Sequence, residues 1–231
     1  MKTIKRLIAL TGIVIIAIIA LYLIEGYQRK ENALKEKPLE DLVEEIRQKE
    51  NYTYLEELPK KYIDAIISVE DHRFFEHKGI DIIAIIRSLI KDVKEQDFVE
   101  GGSTITQQLA KNIYFTQDKK VERKIAEMFM ALYLEEKLEK EEILELYLNT
   151  SYYGEGYTTP KEASRGYFNK EPKDMTDYEL VMLAGIPNAP SVYNPVKSKT
   201  LAKKRQEQVL EKMIKYNIIT EEEKEEILKE E

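Results

Sequence analysis

Residues 101–112 read GGSTITQQLAKN. The two glycines give a hinge before Ser103, a residue suited to cap a helix. A helix start presents unpaired N–H groups to an anion. On the helix that follows, Thr104 and Gln108 are i,i+4 and Gln108 and Lys111 are i,i+3, so all three are expected on one face. Ser103, Thr104, Thr106, Gln107 and Gln108 offer hydroxyls and amides to sugar hydroxyls or phosphate oxygens. The bland alternative is an ordinary capped surface helix.

Upstream, residues 70–79 read EDHRFFEHKG. Pro59 opens a helix with Ile63, Ile66 and Ile67 on one face, running towards Glu70. Beside Asp71, Phe74, Phe75 and His77, Glu70 would lie in a partly apolar cleft. Desolvation and the neighbouring carboxylate would raise its pKa towards that of a general base. The alternative is an exposed helix-end acid above a phenylalanine pair. His77 reads as a structural hydrogen-bonder, since two histidines in the whole chain make a His-based metal site improbable. A second helix from about Asp81 carries Ile82, Ile85, Ile86, Leu89 and Val93 at helical spacing, either for the core or for a lipid surface. Residues 91–102 are polar and end in glycines, as a flap would.

Downstream, Asp118 is a candidate cap for a helix over 119–137, and 140–149 reads as a short helix. Thr176-x-x-Glu179 and Thr220-x-x-Glu223 are capping-box patterns, the first for a helix ending before Pro187. Arg123 and Glu127 are i,i+4, which alone would be a surface ion pair worth a few tenths of a kcal/mol. Between 111 and 124, five cations (Lys111, Lys119, Lys120, Arg123, Lys124) face two acids, a local +3. No stretch of alternating polarity is long enough for a sheet.

The chain of 231 residues carries a net charge of −7, and with no Cys it can form neither disulfides nor zinc–thiolate sites. Residues 7–24, LIALTGIVIIAIIALYLI, form an uncharged run of 18 residues that would rise about 27 Å as a helix, enough to cross a hydrocarbon core. Lys2, Lys5 and Arg6 precede it, so the N-terminus is expected in the cytoplasm and the rest outside, in a single pass. A cleavable signal peptide is the rival, but no small-x-small site follows. Without its three N-terminal cations the remainder is near −10, which argues against nucleic acid as a partner. The expected organisation is a tip and membrane anchor over 1–24, a charged stalk over 25–58 with Pro38 opening a short helix, a main domain over 59–199 and a C-terminal helical pair over 200–231. The fold class is mostly α.

Glu70, Asp71, Phe74, His77 and Gly79 fill an E-D-x-x-F-x-x-H-x-G pattern, and the 101–112 block matches G-x-S-T-I-T-Q-Q-L-x-K-N. Arg123-Lys124-x-x-Glu127 and the block from Lys140 to Asn149 (K-x-x-I-L-E-x-Y-L-N) follow in order, then the run from Glu179 to Pro187 with Asn194-Pro195. Together these motifs closely resemble the peptidoglycan glycosyltransferases, the family that polymerises bacterial cell-wall glycan from lipid-linked precursor. The resemblance implies a lysozyme-like helical domain. It implies Glu70 as the base on the acceptor 4-hydroxyl and Glu127 as a second essential carboxylate, ordering cations or a divalent metal (Mg²⁺ or Mn²⁺). No organic cofactor is implied. Ser103, Thr104, Gln107, Gln108, Lys111, Arg123 and Lys124 would bind substrate, with Lys119 a looser candidate. Asp71, Phe74, His77, Gly102 and Asn112 would support them. Lipid II, undecaprenyl-pyrophosphate-linked glycan, the bacterial cell membrane and other cell-wall synthesis proteins are the implied partners. Where the family commonly has Tyr-Phe-Gly-Lys, Asn169 follows Tyr167 and Phe168, and Asn tolerates the left-handed turn. A glycan-cleaving lytic transglycosylase or muramidase would share the fold but needs no pyrophosphate cradle, and an idle scaffold would not need both glutamates. The one S-x-x-K, Ser88 to Lys91, lies in a predicted helix with no K-T-G after it, so a penicillin-binding protein's transpeptidase signature is missing from these residues.

Overall fold

A computed structural model describes residues 2–95, 102–115 and 120–230. Among these residues the architecture is all helical, with a single isolated bridge between Gly154 and Tyr157 in place of any sheet. Helix α1 (Lys2–Glu36) runs without a break from the apolar segment into charged sequence. No residue of its apolar window is buried, as for a lipid-facing helix, whereas Gly26 and Lys30 are buried and Ala33 and Leu34 are half-buried. Those positions form one stripe at helical spacing, and the stripe lies along α6 (Val121–Lys137).

The stretch expected as a stalk is folded onto the domain instead. Pro38 stands at the N-cap of α2 (Leu39–Arg47), which buries Leu39, Leu42, Val43 and Ile46. The charges of α2 lie on its outer face, so its composition conceals a core stripe. Tyr52 and Leu58 then continue the same core.

At the centre stands α3 (Lys60–Glu70), which buries Tyr62, Ala65 and Ile66 against α9 (Asp177–Gly185) and α10 (Lys199–Lys215). Helix α9 buries Tyr178 and every residue from Leu180 to Gly185, the mark of a central core helix. The reciprocal capping box predicted at Thr176 and Glu179 starts it, and the one at Thr220 and Glu223 starts α11 (Glu221–Lys229). Because α10 buries Ala202, Gln206, Val209, Leu210 and Met213, residues beyond 199 share this core rather than forming a separate pair. Gln206 Nε2 donates to the Tyr178 carbonyl at 2.6 Å, which ties α10 to α9.

Three further helices complete the site's frame. Helix α5 (Ile105–Tyr114) packs on α6 and on α7 (Lys140–Leu148), and full burial of Ile105, Leu109, Ile143 and Leu144 contributes about 2 kcal/mol for each side chain. Asn149 at the end of α7 holds residue 53 by both amide atoms, accepting from the Thr53 N–H at 2.9 Å and donating to its carbonyl at 2.8 Å. The 140–149 motif is thus scaffolding, as its spacing indicated. Helix α4 (Ile82–Glu95) is capped by Asp81, whose Oδ1 accepts from the Ala84 N–H at 3.0 Å. Its Ile82 is 67% exposed and Ile83 and Ile86 are also exposed, so this apolar face is not core. The flap expected over 91–102 begins as the end of α4, and residues 96–101 lie outside those described. Helix α8 (Pro160–Phe168) ends at Asn169 with φ 55° and ψ 38°, so the left-handed turn survives the Gly-to-Asn departure.

Candidate active site

Two neighbouring carboxylates end α3 and point to different places. Glu70 is the last helical residue, and its side chain is 7% exposed. Its Oε2 accepts from Gln108 Nε2 at 2.8 Å, while Oε1 is buried with no hydrogen-bond partner and has Arg205 Nη2 3.6 Å away. At Asp71 the backbone leaves the helix, with φ −159°. The Asp71 side chain there accepts from His77 Nε2 at 2.9 Å and from the Ile105 N–H at 3.0 Å. An anion on the first N–H groups of α5 is favourable, and Asp71 is therefore a clamp on that helix. The partner charge anticipated for Glu70 is turned away from it, and Gln108 and Arg205 take that place.

The start of α5 also departs from expectation by one residue. Thr104, not Ser103, is the N-cap: its Oγ1 accepts from the Gln107 N–H at 3.1 Å, and Gln107 Oε1 accepts from the Thr104 N–H at 3.0 Å. Thr104 also donates to the Gly79 carbonyl at 2.6 Å, and Thr104 and Gln107 are each 2% exposed. Thr106 donates to Glu135 at 2.6 Å. These three side chains are committed to holding the helix start, because a reciprocal capping box satisfies more orphan groups than a serine cap would. Ser103 lines the cleft with Thr104, and Gln108 reaches Glu70. Gly79 has φ +82°, and a Cβ there would stand 2.9 Å from the Ala131 carbonyl oxygen, so this close approach needs glycine. Phe74 is fully buried beneath the Lys140 ammonium, 4.3 Å from its ring centroid, and Asn112 is exposed on α5.

The cleft beside Glu70 has a volume of about 700 Å³ and is bounded by the end of α3, by the first half of α4, by Gly102 and Ser103, and by α10. Arg205 is the residue that sequence reading missed. It donates through Nε to the Gly185 carbonyl at 3.3 Å, lies 5.5 Å from the Tyr193 ring centroid and reaches Glu70. The apolar spacing of Ala202, Val209, Leu210 and Met213 was the available signal that α10 belongs to the core.

Helix α6 supplies the cations. Glu127 is 1% exposed, so its carboxylate is buried, while the Arg123 and Lys124 side chains that pair with it are 16% and 43% exposed. Arg123 pairs with Oε1, while Lys124 Nζ lies 3.1 Å from Oε2 and donates to Ser103 Oγ at 2.5 Å. Burial chiefly, then the charges of Arg123 and Lys111, lowers the Lys124 pKa to about 8. Lys111 is lowered by burial and by Arg123, against the attraction of Glu70. Lys111, Arg123 and Lys124 are thus one electrostatic cluster that Glu70 also feels. Lys119, Asp118 and Gly101 lie outside the described residues, and α6 starts at Val121 after Lys120.

A divalent metal held by protein alone does not fit. Both Glu127 oxygens already face a cation, and among the described residues no three acidic or histidine groups converge. What the site can do is accept a proton at Glu70 Oε1 and neutralise an anion at the cation cluster.

Comparison with known proteins gives the family. The family described as Transglycosylase matches residues 35–214. Penicillin-binding protein 1A of Vibrio cholerae is 45% identical over 166 residues, covering 72% of this chain and 20% of that protein. Penicillin-binding protein 1F of Bacillus subtilis is 47% identical over 156 residues, covering 68% and 22%. Penicillin-binding protein 1A of Neisseria flavescens is 40% identical over 184 residues, covering 80% and 23%. The chain spans about a fifth to a quarter of the length of these relatives.

Proposed function

Because the chain belongs to the transglycosylase family, with its helical lysozyme-like fold, we propose that it is a membrane-anchored peptidoglycan glycosyltransferase that polymerises lipid II. The observation that carries the reading is Glu70: a buried carboxylate with one oxygen that has no hydrogen-bond partner, at a cleft whose neighbourhood holds Lys111, Arg123 and Lys124. The donor is a glycan on undecaprenyl pyrophosphate, and the acceptor is the 4-hydroxyl of N-acetylglucosamine in lipid II.

Glu70 Oε1 takes the hydroxyl proton as that oxygen forms a bond to the anomeric carbon. The bond from this carbon to the pyrophosphate oxygen breaks on the opposite face, and the electron pair leaves with the pyrophosphate. Gln108 and Arg205 fix the carboxylate for this transfer, which is worth more than extra affinity because it acts on the transition state. Charge grows on the departing group, and fixed cations aimed there lower the barrier. No step requires a protein-held metal.

Helix α1 supplies the anchor, with its N-terminal cations in the cytoplasm and the domain outside. The exposed Ile82, Ile83 and Ile86 of α4 would dip into the facing leaflet. The test is to incubate detergent-solubilised protein with labelled lipid II and, separately, with preformed glycan. Polymer from the first supports the reading. Cleavage of the second without polymer would replace it with the lytic one.

A further inference from the structure

The membrane helix and the cation-bearing helix meet at one glycine. Gly26 lies two residues past the apolar run and is the first buried residue of α1 among those described. A Cβ there would stand 2.4 Å from Ile125 Cγ2, 2.8 Å from Ile125 Cβ and 3.2 Å from the Ala126 nitrogen. Beyond it, the Tyr27 ring meets Phe129 edge-on at 5.6 Å, and the Lys30 ammonium lies 5.2 Å from the Tyr133 ring centroid. Residues 26, 27 and 30 thus meet 125, 129 and 133 in rising order, which makes α1 and α6 parallel.

That direction fixes which end of α6 faces the bilayer. Its first turns are nearest, and they begin with the exposed Val121 and carry Arg123, Lys124 and Glu127. Two residues of helix rise about 3 Å, and one or two residues separate Ile125 from the cations, so both lie within about 5 Å of the end of the apolar run along the axis. A pyrophosphate joined directly to a membrane-buried polyprenyl chain sits at that same level, just outside the hydrocarbon.

We propose that Gly26 is a positioning residue and that α1, docked through it on α6, is a depth gauge holding Arg123 and Lys124 at the height of the lipid-linked pyrophosphate. This rests on the glycosyltransferase reading. It adds to simple tethering, since a flexible tether would confine the enzyme to the surface without fixing any height.

The test lengthens α1 between Ile24 and Glu25 by seven residues of Glu, Ala and Lys. Seven residues turn about 700°, so the docking stripe returns to within about 20° of its face while the domain rises about 10 Å. In vesicles of anionic phospholipid carrying full-length lipid II, polymerisation should fall at least about tenfold, as misplacement of a catalytic group does. Turnover of a short-chain, water-soluble lipid II analogue in detergent should stay within about twofold of the unmodified protein's, since the height of the site then has no consequence. Undiminished polymerisation in vesicles would overturn the proposal, and so would an equal loss on both substrates, which places the damage in the site. Gly26→Val should show the same vesicle-selective loss with α1 at its natural length, and adding Ile125→Ala should recover part of it. An unmodified protein inactive on both substrates would instead overturn the function on which the proposal rests.

Discussion

The end of α3 and the first turns of α6 each bury a glutamate, and they treat it oppositely. Glu70 keeps an oxygen with no hydrogen-bond partner, while Glu127 has a cation on each oxygen. A buried acceptor left unsatisfied costs free energy, so it persists where something outside the resting chain is meant to meet it. A saturated carboxylate has no such need and serves to hold Arg123 and Lys124 in place. On the proposed function, one region is prepared for a proton and the other for an anion.

Substitutions can break that contrast. The largest effect is expected from Glu70→Gln, which should lower polymerisation by about 10³-fold or more, in the upper range for losing a general base. Its thermal midpoint should fall by only a few degrees, because Oε1 has no hydrogen bond to lose and only the longer pairing with Arg205 is given up; a fall of many degrees would contradict this. Glu127→Gln should lower polymerisation by about 10²-fold, the scale of a lost electrostatic element. It should also cost about 3 kcal/mol in urea unfolding, since it breaks a buried pair. Asp71→Asn, one residue from Glu70, should instead act mainly on stability, losing about 2 kcal/mol with its charge-assisted bonds to His77 and the α5 start. Activity of the folded fraction is the check on that assignment. The smallest change is a shift in pH dependence. Lys124 is charged below about 8, so donor affinity should decline as pH rises through that value, and Lys124→Arg should carry the decline to higher pH because guanidinium stays protonated.

How legible each region was follows from how local its determinants are. The boxes at Thr176/Glu179 and Thr220/Glu223 are contained in four residues each, and both formed as read. At the start of α5 two hydroxyls compete for one cap, and the choice of Thr104 over Ser103 depends on the distant Gly79 carbonyl and on Lys124 drawing Ser103 away. Helices α2 and α10 were assigned outside the main domain because their charge hides a buried stripe that only tertiary contact reveals. Arg205 was lost with α10. The turning away of Asp71 is a single backbone step at the end of α3, and no spacing rule marks it.

The division of labour between the two glutamates is tested most directly by binding of an undecaprenyl-pyrophosphate-linked glycan to Glu70→Gln and Glu127→Gln in parallel, at a temperature where both are folded. Glu70→Gln should bind as the unmodified protein does while failing to polymerise, and Glu127→Gln should bind at least about tenfold more weakly, the loss of about 1.4 kcal/mol. The reverse order of affinities, or weak binding by Glu70→Gln alone, would contradict the assignment of the proton to α3 and the pyrophosphate to α6.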